Sequence, residues 1–117
     1  MNINPILEKA FANFEVDGLL IPIAPNIYKG AASTYLTYYT WNTQPELSVD
    51  DKPSIIGTYG TIDIYSKGNF KNIIIEVRKK IEEIGFTWTG TSAEDYEEDT
   101  GLYHIPIEFC VESKDII

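Results

Sequence analysis

Ile55-Ile56-Gly57-Thr58-Tyr59-Gly60-Thr61-Ile62-Asp63-Ile64-Tyr65 alternates in the manner of a sheet strand. Thr58, Gly60, Ile62 and Ile64 fall on one face; Tyr59, Thr61, Asp63 and Tyr65 fall on the other. The period changes immediately afterwards. Asn69 is placed to cap a helix over residues 70–84, where Phe70, Ile73, Ile74, Val77, Ile81 and Ile84 form one apolar stripe. Lys71, Arg78, Lys79, Glu82 and Glu83 lie largely outside that stripe, and Gly85 supplies the left-handed residue that closes the helix.

Working upstream, residues 34–41 form a strand built almost entirely of Thr, Tyr, Leu and Trp, with Gln44-Pro45 expected to end it. Before it, residues 18–23 read as a short strand that Pro22 confines to an edge or interrupts. The chain opens with a short helix, with Asn4 as its cap, Pro5 in its first turn and Ile6, Leu7, Ala10 and Phe11 as its stripe, ending near Asn13. Downstream, residues 86–91 and 102–111 form a hairpin joined by the acidic segment Glu94–Asp99. Tyr103, Ile105, Ile107, Phe109 and Val111 share a face of the last strand, and Pro106 points to an edge or a bulge there. The expected order is α-β-β-β-α-β-β. It gives an α+β fold with a mostly antiparallel sheet and two helices packed on one face. The 117 residues fit one domain, 1–117, large enough to hold a core.

Eighteen acidic residues against nine basic ones leave a net charge of -9, which disfavours gripping a phosphate backbone or an anionic membrane and suits a basic protein partner. Cys110 is the only cysteine, so neither an internal disulfide nor a thiolate zinc cluster is expected. The start of the chain has no basic region followed by an apolar run, so no signal peptide or anchor is expected, and the reducing cytoplasm is the expected compartment of synthesis.

The face that the helices leave uncovered carries aromatics. Tyr35, Tyr39 and Trp41 on one strand and Tyr59 and Tyr65 on the next stand where a one-sided antiparallel sheet normally carries charge. A neighbouring subunit would cover such a wall; alternatively, tyrosine and threonine are simply good strand formers whose hydroxyls tolerate water.

Enzyme chemistry finds little support. His104 is the only histidine and reads as a strand histidine bonded to a neighbour or to water, with no nucleophile and orienting acid apparent around it. The acids at 94–99 are contiguous rather than spaced as calcium ligands are, and Gly101 follows them, so they read as a solvated loop; Asp50 and Asp51 read likewise. Arg78-Lys79-Lys80 is flanked by Glu76, Glu82 and Glu83, which makes it a solvated helix face rather than a nucleic-acid patch. There is no phosphate-binding loop and no nucleophile elbow. No catalytic residue, cofactor or metal site is therefore expected.

Several landmarks occur in order along nearly the whole chain: the N-terminal helix; Tyr28-Lys29-Gly30; a strand beginning Thr34-Tyr35; Trp41-Asn42 with Gln44-Pro45; and the Asp50-Asp51 loop. Then come Ile62-Asp63-Ile64-Tyr65-Ser66-Lys67, a helix ending Ile84-Gly85-Phe86, and Tyr96-Glu97-Glu98-Asp99-Thr100 with Leu102-Tyr103-His104. In these the chain resembles the small tail-terminator or tail-completion proteins of long-tailed phages and prophages. The resemblance implies a non-enzymatic virion protein, made in the host cytoplasm. It would assemble as a homo-oligomeric ring, a hexamer in this family, at the head-proximal end of the tail tube. There it would contact the tail tube protein and the head connector or stopper protein, and let DNA pass through its lumen without specific binding. The subunit interface expected from the strand pattern is Tyr35, Tyr39, Trp41, Tyr59 and Tyr65, and the partner-facing loops are Asp50, Asp51, Glu97, Glu98 and Asp99. Two other functions stay open: a connector-completion (stopper) protein, and a small acidic inhibitor or regulator of a basic host protein.

Overall fold

The computed structural model describes residues 2–45 and 55–113. Helix α1 (Asn4–Ala10) is followed by the short strands β1 (Glu15–Val16), β2 (Leu19–Leu20) and β3 (Ile23–Pro25), then by the long strands β4 (Tyr35–Pro45) and β5 (Ile56–Ser66). Helix α2 (Lys71–Glu83), β6 (Thr87–Thr91), β7 (Asp95–Glu97) and β8 (Leu102–Ser113) complete the order. The main sheet runs β3-β4-β5-β8-β6, with β7 also on β8, and every pairing in it except β3 with β4 is antiparallel. This is the α+β class that the alternating and helical periods predict.

The register of the three long strands sorts the side chains. Leu36 faces Ile64, which faces Ile105; Tyr38 faces Ile62, which faces Ile107. These six are buried and merge into one cluster with Leu7 of α1, with Phe11 that caps the end of that helix, and with Ile73, Val77 and Ile81 from α2. Full burial of an aliphatic side chain stabilises by about 1.5–3 kcal/mol, so this cluster decides which sheet face the helices cover. Tyr38 joins it by ring burial while its hydroxyl donates to Glu8 Oε1 at 2.8 Å, tying β4 to α1.

Local chemistry explains most boundaries. Pro22 interrupts its stretch: β2 closes a two-stranded hairpin with β1 across Asp17-Gly18, both at positive φ, while β3 resumes as an edge strand beside β4. Such a turn needs two left-handed residues, which Asp and Gly adopt most easily. Gly85, at φ 85°, ends α2, and the Phe86 N–H donates back to Ile81 O at 2.9 Å.

Several expectations are corrected. Asn4 and Asn69 are not caps. Asn4 lies inside α1, where its N–H is taken by Asn2 Oδ1 at 3.1 Å, and Asn69 sits at φ 53° one residue before the Phe70 cap of α2. Helix α1 ends at Ala10 rather than near Asn13, because Asn13 turns left-handed at φ 56° to bring Phe14 into the core. Strand β4 runs past the expected Trp41, and Gln44-Pro45 are its last two residues, both paired with β5. The acidic segment is not all loop, since Asp95–Glu97 forms β7.

Pro106 lies in an interior strand rather than at an edge or bulge. The Ser92 N–H donates to Pro106 O, so the proline's missing donor faces the gap between β6 and β7, where no ladder bond is lost.

Gly60 is required for space. A Cβ there would lie 2.6 Å from Phe109 Cζ and 2.7 Å from the backbone oxygen of Tyr39. Gly60→Ala should therefore destabilise the fold by about 1–3 kcal/mol in urea unfolding. Gly68→Ala, where a Cβ meets nothing within 4 Å, is the control and should leave the midpoint almost unchanged.

Candidate functional site

The second face of the sheet has two unlike halves. In the first, the register places Tyr35 opposite Tyr65 and Tyr65 opposite His104. Tyr28 joins from the β3–β4 loop. The four rings stack in sequence: Tyr28 on Tyr35 at 4.5 Å, Tyr35 on Tyr65 at 4.8 Å, and Tyr65 on His104 at 4.6 Å with the last two rings parallel to within 1°. Tyr28 is held in place because its hydroxyl accepts the Ala32 N–H at 3.0 Å and because Gly30 leaves room for its ring.

His104 Nε2 lies 2.7 Å from Asp63 Oδ1. A carboxylate only accepts, so Nε2 carries the proton and the histidine is bonded to a neighbour as its strand position implies. Asp63 is buried and its charge is satisfied within the sheet. General-base chemistry by this pair would need a nucleophile on the other ring nitrogen, and among the described residues no serine or threonine is hydrogen-bonded to His104. Among the described residues no group of three metal-ligating acids, histidines or cysteines converges.

Beside the stack lies a depression of about 220 Å³, lined by Asn26, Ile27, Tyr28, Tyr35, Thr37, Tyr65 and Glu97. Glu97 is half-buried at the end of β7. Its Oε1 accepts from the Thr100 hydroxyl at 3.3 Å, and its backbone oxygen accepts from the Gly101 N–H at 2.8 Å. Burial, then the Glu97 charge, then Tyr28 raise the pKa of Tyr35 above 10.0. Tyr65 is pushed up to about 12 by burial first and then by the charges of Asp63 and Glu97, against a hydrogen bond from Thr37 that pulls it down. On the helix face, burial and Glu8 raise Tyr38 as well.

The other half of the face is bare. A bulge between Thr40 and Asn42 makes Trp41 an extra residue in β4. Its Nε1–H donates to Thr61 Oγ1 at 3.1 Å, and its ring tilts against Tyr59 at 5.7 Å, yet Trp41 is 50% exposed and Tyr39 is 41% exposed. Among the described residues β3 covers the outer edge of β4 only from Leu36 to Tyr38, which leaves residues 39–45 as an open edge.

Of the residues expected at an interface, Tyr39 and Trp41 are exposed together. Tyr59 is half-buried beneath Trp41, and Tyr35 and Tyr65 are half-buried inside the ring stack. Of the partner-loop residues, Glu98 and Asp99 are exposed in the β7–β8 turn, Glu97 turns toward the depression, and Asp50 and Asp51 lie outside the described residues. The sequence pattern did not single out Asp63 as the partner of His104, nor Tyr28 as the end of the stack. A lone acid within a strand of Ile, Thr and Tyr is the one local signal that Asp63 offered. No known protein-family model matches the chain, and no curated protein matches it.

Two predictions arise here. Asp63→Ala strips His104 of its acceptor in a largely buried setting and should cost roughly 1–3 kcal/mol in urea unfolding. In the fold, Tyr35, Tyr38 and Tyr65 hold their protons above 10.0, the value of an unfolded tyrosine. Their contribution to stability is therefore full below pH 10.0 and is lost as pH rises toward about 12. The melting temperature should fall across that window, and Tyr65→Phe, which cannot ionise, should fall less steeply in circular-dichroism melts.

Proposed function

We propose that this chain is a phage virion structural protein that closes into a ring of like copies at the head-proximal end of the tail tube, ends tube polymerisation and joins the tail to the head connector. The observation that carries the proposal is the pairing of two exposed aromatic rings, Tyr39 and Trp41, with the open β4 edge from residue 39 to residue 45. Aromatic side chains held on a strand supply large contact area at little entropic cost, and unpaired backbone groups beside them give direction to the contact. A contact between unlike surfaces on successive copies makes a ring when its rotation closes. The bulge at Trp41 and Pro45 at the end of the strand limit indiscriminate edge pairing, as a contact restricted to one partner needs.

The ordered landmarks from Tyr28-Lys29-Gly30 to Leu102-Tyr103-His104 direct the proposal toward a tail terminator, and the charge of -9 suits a lumen that repels passing DNA. Tyr39 and Trp41 form the centre of the contact. Tyr59 supports Trp41 from below, whereas the ring stack containing Tyr35 and Tyr65 is occupied within the chain.

Tyr39→Asp places a charge in the centre of the contact without touching the core. The variant should keep the wild-type circular-dichroism spectrum and lose assembly, read by native mass spectrometry of the free protein and by electron microscopy of tail tubes mixed with it. The wild-type protein should form rings alone or on tube ends. A wild-type protein that stays monomeric and leaves tubes bare, or a Tyr39→Asp protein that assembles as wild type does, would overturn the proposal.

A further inference from the structure

The depression beside the ring stack has a chemistry of its own, separate from the bare half of the sheet. Tyr35 has one face on Tyr28 and the other on Tyr65, and Tyr65 has its second face on His104. Tyr35 and Tyr65 nevertheless line the depression, so they meet it with their edges. Glu97 also lines it, and among the described residues Glu97 has no ion pair; those present are Arg78–Glu82, Lys79–Glu76, Lys80–Glu83 and His104–Asp63.

Glu97 is the one charged residue of the lining and can only accept when ionised, while the hydroxyls of Tyr28, Tyr35, Tyr65 and Thr37 and the amide of Asn26 can accept as well as donate. The occupant should therefore be a cation with several donors spread in a plane. A quaternary ammonium is held by open aromatic faces and donates no hydrogen bond, so it suits this site poorly. A lysine ammonium presents its donors at one point, whereas a guanidinium carries five in a planar fork. The space, about 220 Å³, is below the roughly 300–1,000 Å³ of sites for drug-sized ligands and fits one side chain.

We propose that this depression receives an arginine side chain of a basic partner protein, with Glu97 as its counter-charge and the tyrosine edges and Thr37 as further acceptors. The chain's own charge of -9 favours such a partner. The negative charge of Glu97 is felt at both Tyr35 and Tyr65, and an arriving cation relieves it. Another copy of this chain is the less favoured source of the arginine, since its one candidate is already engaged. Arg78 is its only arginine, and that guanidinium lies 4.0 Å from the ring centre of Trp88 with Nε on Glu82 Oε1 at 2.9 Å. On this proposal the pocket serves a different protein from the one that covers Tyr39 and Trp41, and the two proposals stand or fall separately.

The test is a titration of the full chain with Nα-acetyl-arginine amide, followed by the ring resonances of Tyr28, Tyr35 and Tyr65 and by calorimetry. The arginine amide should shift the Tyr35 and Tyr65 resonances. Its neutral citrulline isostere and tetramethylammonium should not, and the lysine amide should bind more weakly. Glu97→Gln keeps an acceptor for Thr100 and should weaken binding by about tenfold, whereas Glu98→Gln, which removes the same charge from the exposed turn, should leave it unchanged. A short peptide with one central arginine should bind more tightly than the amide, because a protein partner adds contacts around the pocket. Citrulline or tetramethylammonium binding as well as arginine, equal losses in Glu97→Gln and Glu98→Gln, or no shift at Tyr35 and Tyr65 would each overturn the site. A peptide no tighter than the amide would overturn the protein source of the arginine.

Discussion

The cross-strand register of β4, β5 and β8 is the constraint on which the molecule depends. It sets Leu36, Ile64 and Ile105 in one row and Tyr38, Ile62 and Ile107 in the next, so the two helices have a single apolar surface to cover. The same register sets Tyr35, Tyr65 and His104 in a row on the opposite face. A slip of one residue in β5 would send its isoleucines to the second face and Asp63 into the helix-covered core, where a carboxylate without a partner costs several kcal/mol. Core burial and the acid–histidine bond thus enforce one alignment from opposite sides of the sheet.

That alignment divides the second face. Where β3, the β3–β4 loop and β7 flank the long strands, the aromatic rings find partners in the chain itself: Tyr28 covers Tyr35, Tyr65 covers His104, and Asp63 fixes the histidine. Beyond Tyr38, β3 no longer accompanies β4, and all seven residues from Tyr39 to Pro45 are exposed. Stacked aromatic pairs contribute about 0.5–1.5 kcal/mol beyond their buried area, so the first half gains from being closed internally. Trp41 has a ring contact with Tyr59 and a bond to Thr61, yet it and Tyr39 keep about half of their surface exposed, to be covered only when another surface meets them. The proposed ring contact places their stabilisation in the assembled particle rather than in the free chain.

Periodic features were legible in the sequence. The stripe of α2, with Ile73, Val77 and Ile81 buried, and the alternation of β5 both follow from spacing alone. Pro22 and Gly85 likewise act through their own backbone chemistry. Features that depend on a distant strand were not legible. Asp63 and His104 meet across 41 residues of sequence, and the register that joins them is set by packing on the other face. β7 was hidden because its Asp-Tyr-Glu run has poor strand propensity and forms only by pairing with β8. Asn69 has the side chain of a cap but a left-handed backbone, which Asn tolerates, and helix α2 starts beyond it. The aromatic wall was legible as composition; its division into a closed and an open half required the loop that brings Tyr28 over Tyr35.

The central claim is that the outer edge of β4 past Tyr38, which no other strand pairs with among the described residues, is filled in the assembled tail. Hydrogen–deuterium exchange of the backbone amides from residue 39 to residue 44, compared between the free protein and the protein bound to tail tubes, tests it most directly. The account predicts rapid exchange at the outward-facing amides in the free protein and strong protection on assembly, with the amides of Ile62 and Ile64 protected in both. Slow exchange along the edge in the free monomer, or rapid exchange there in the assembled tail, would contradict it.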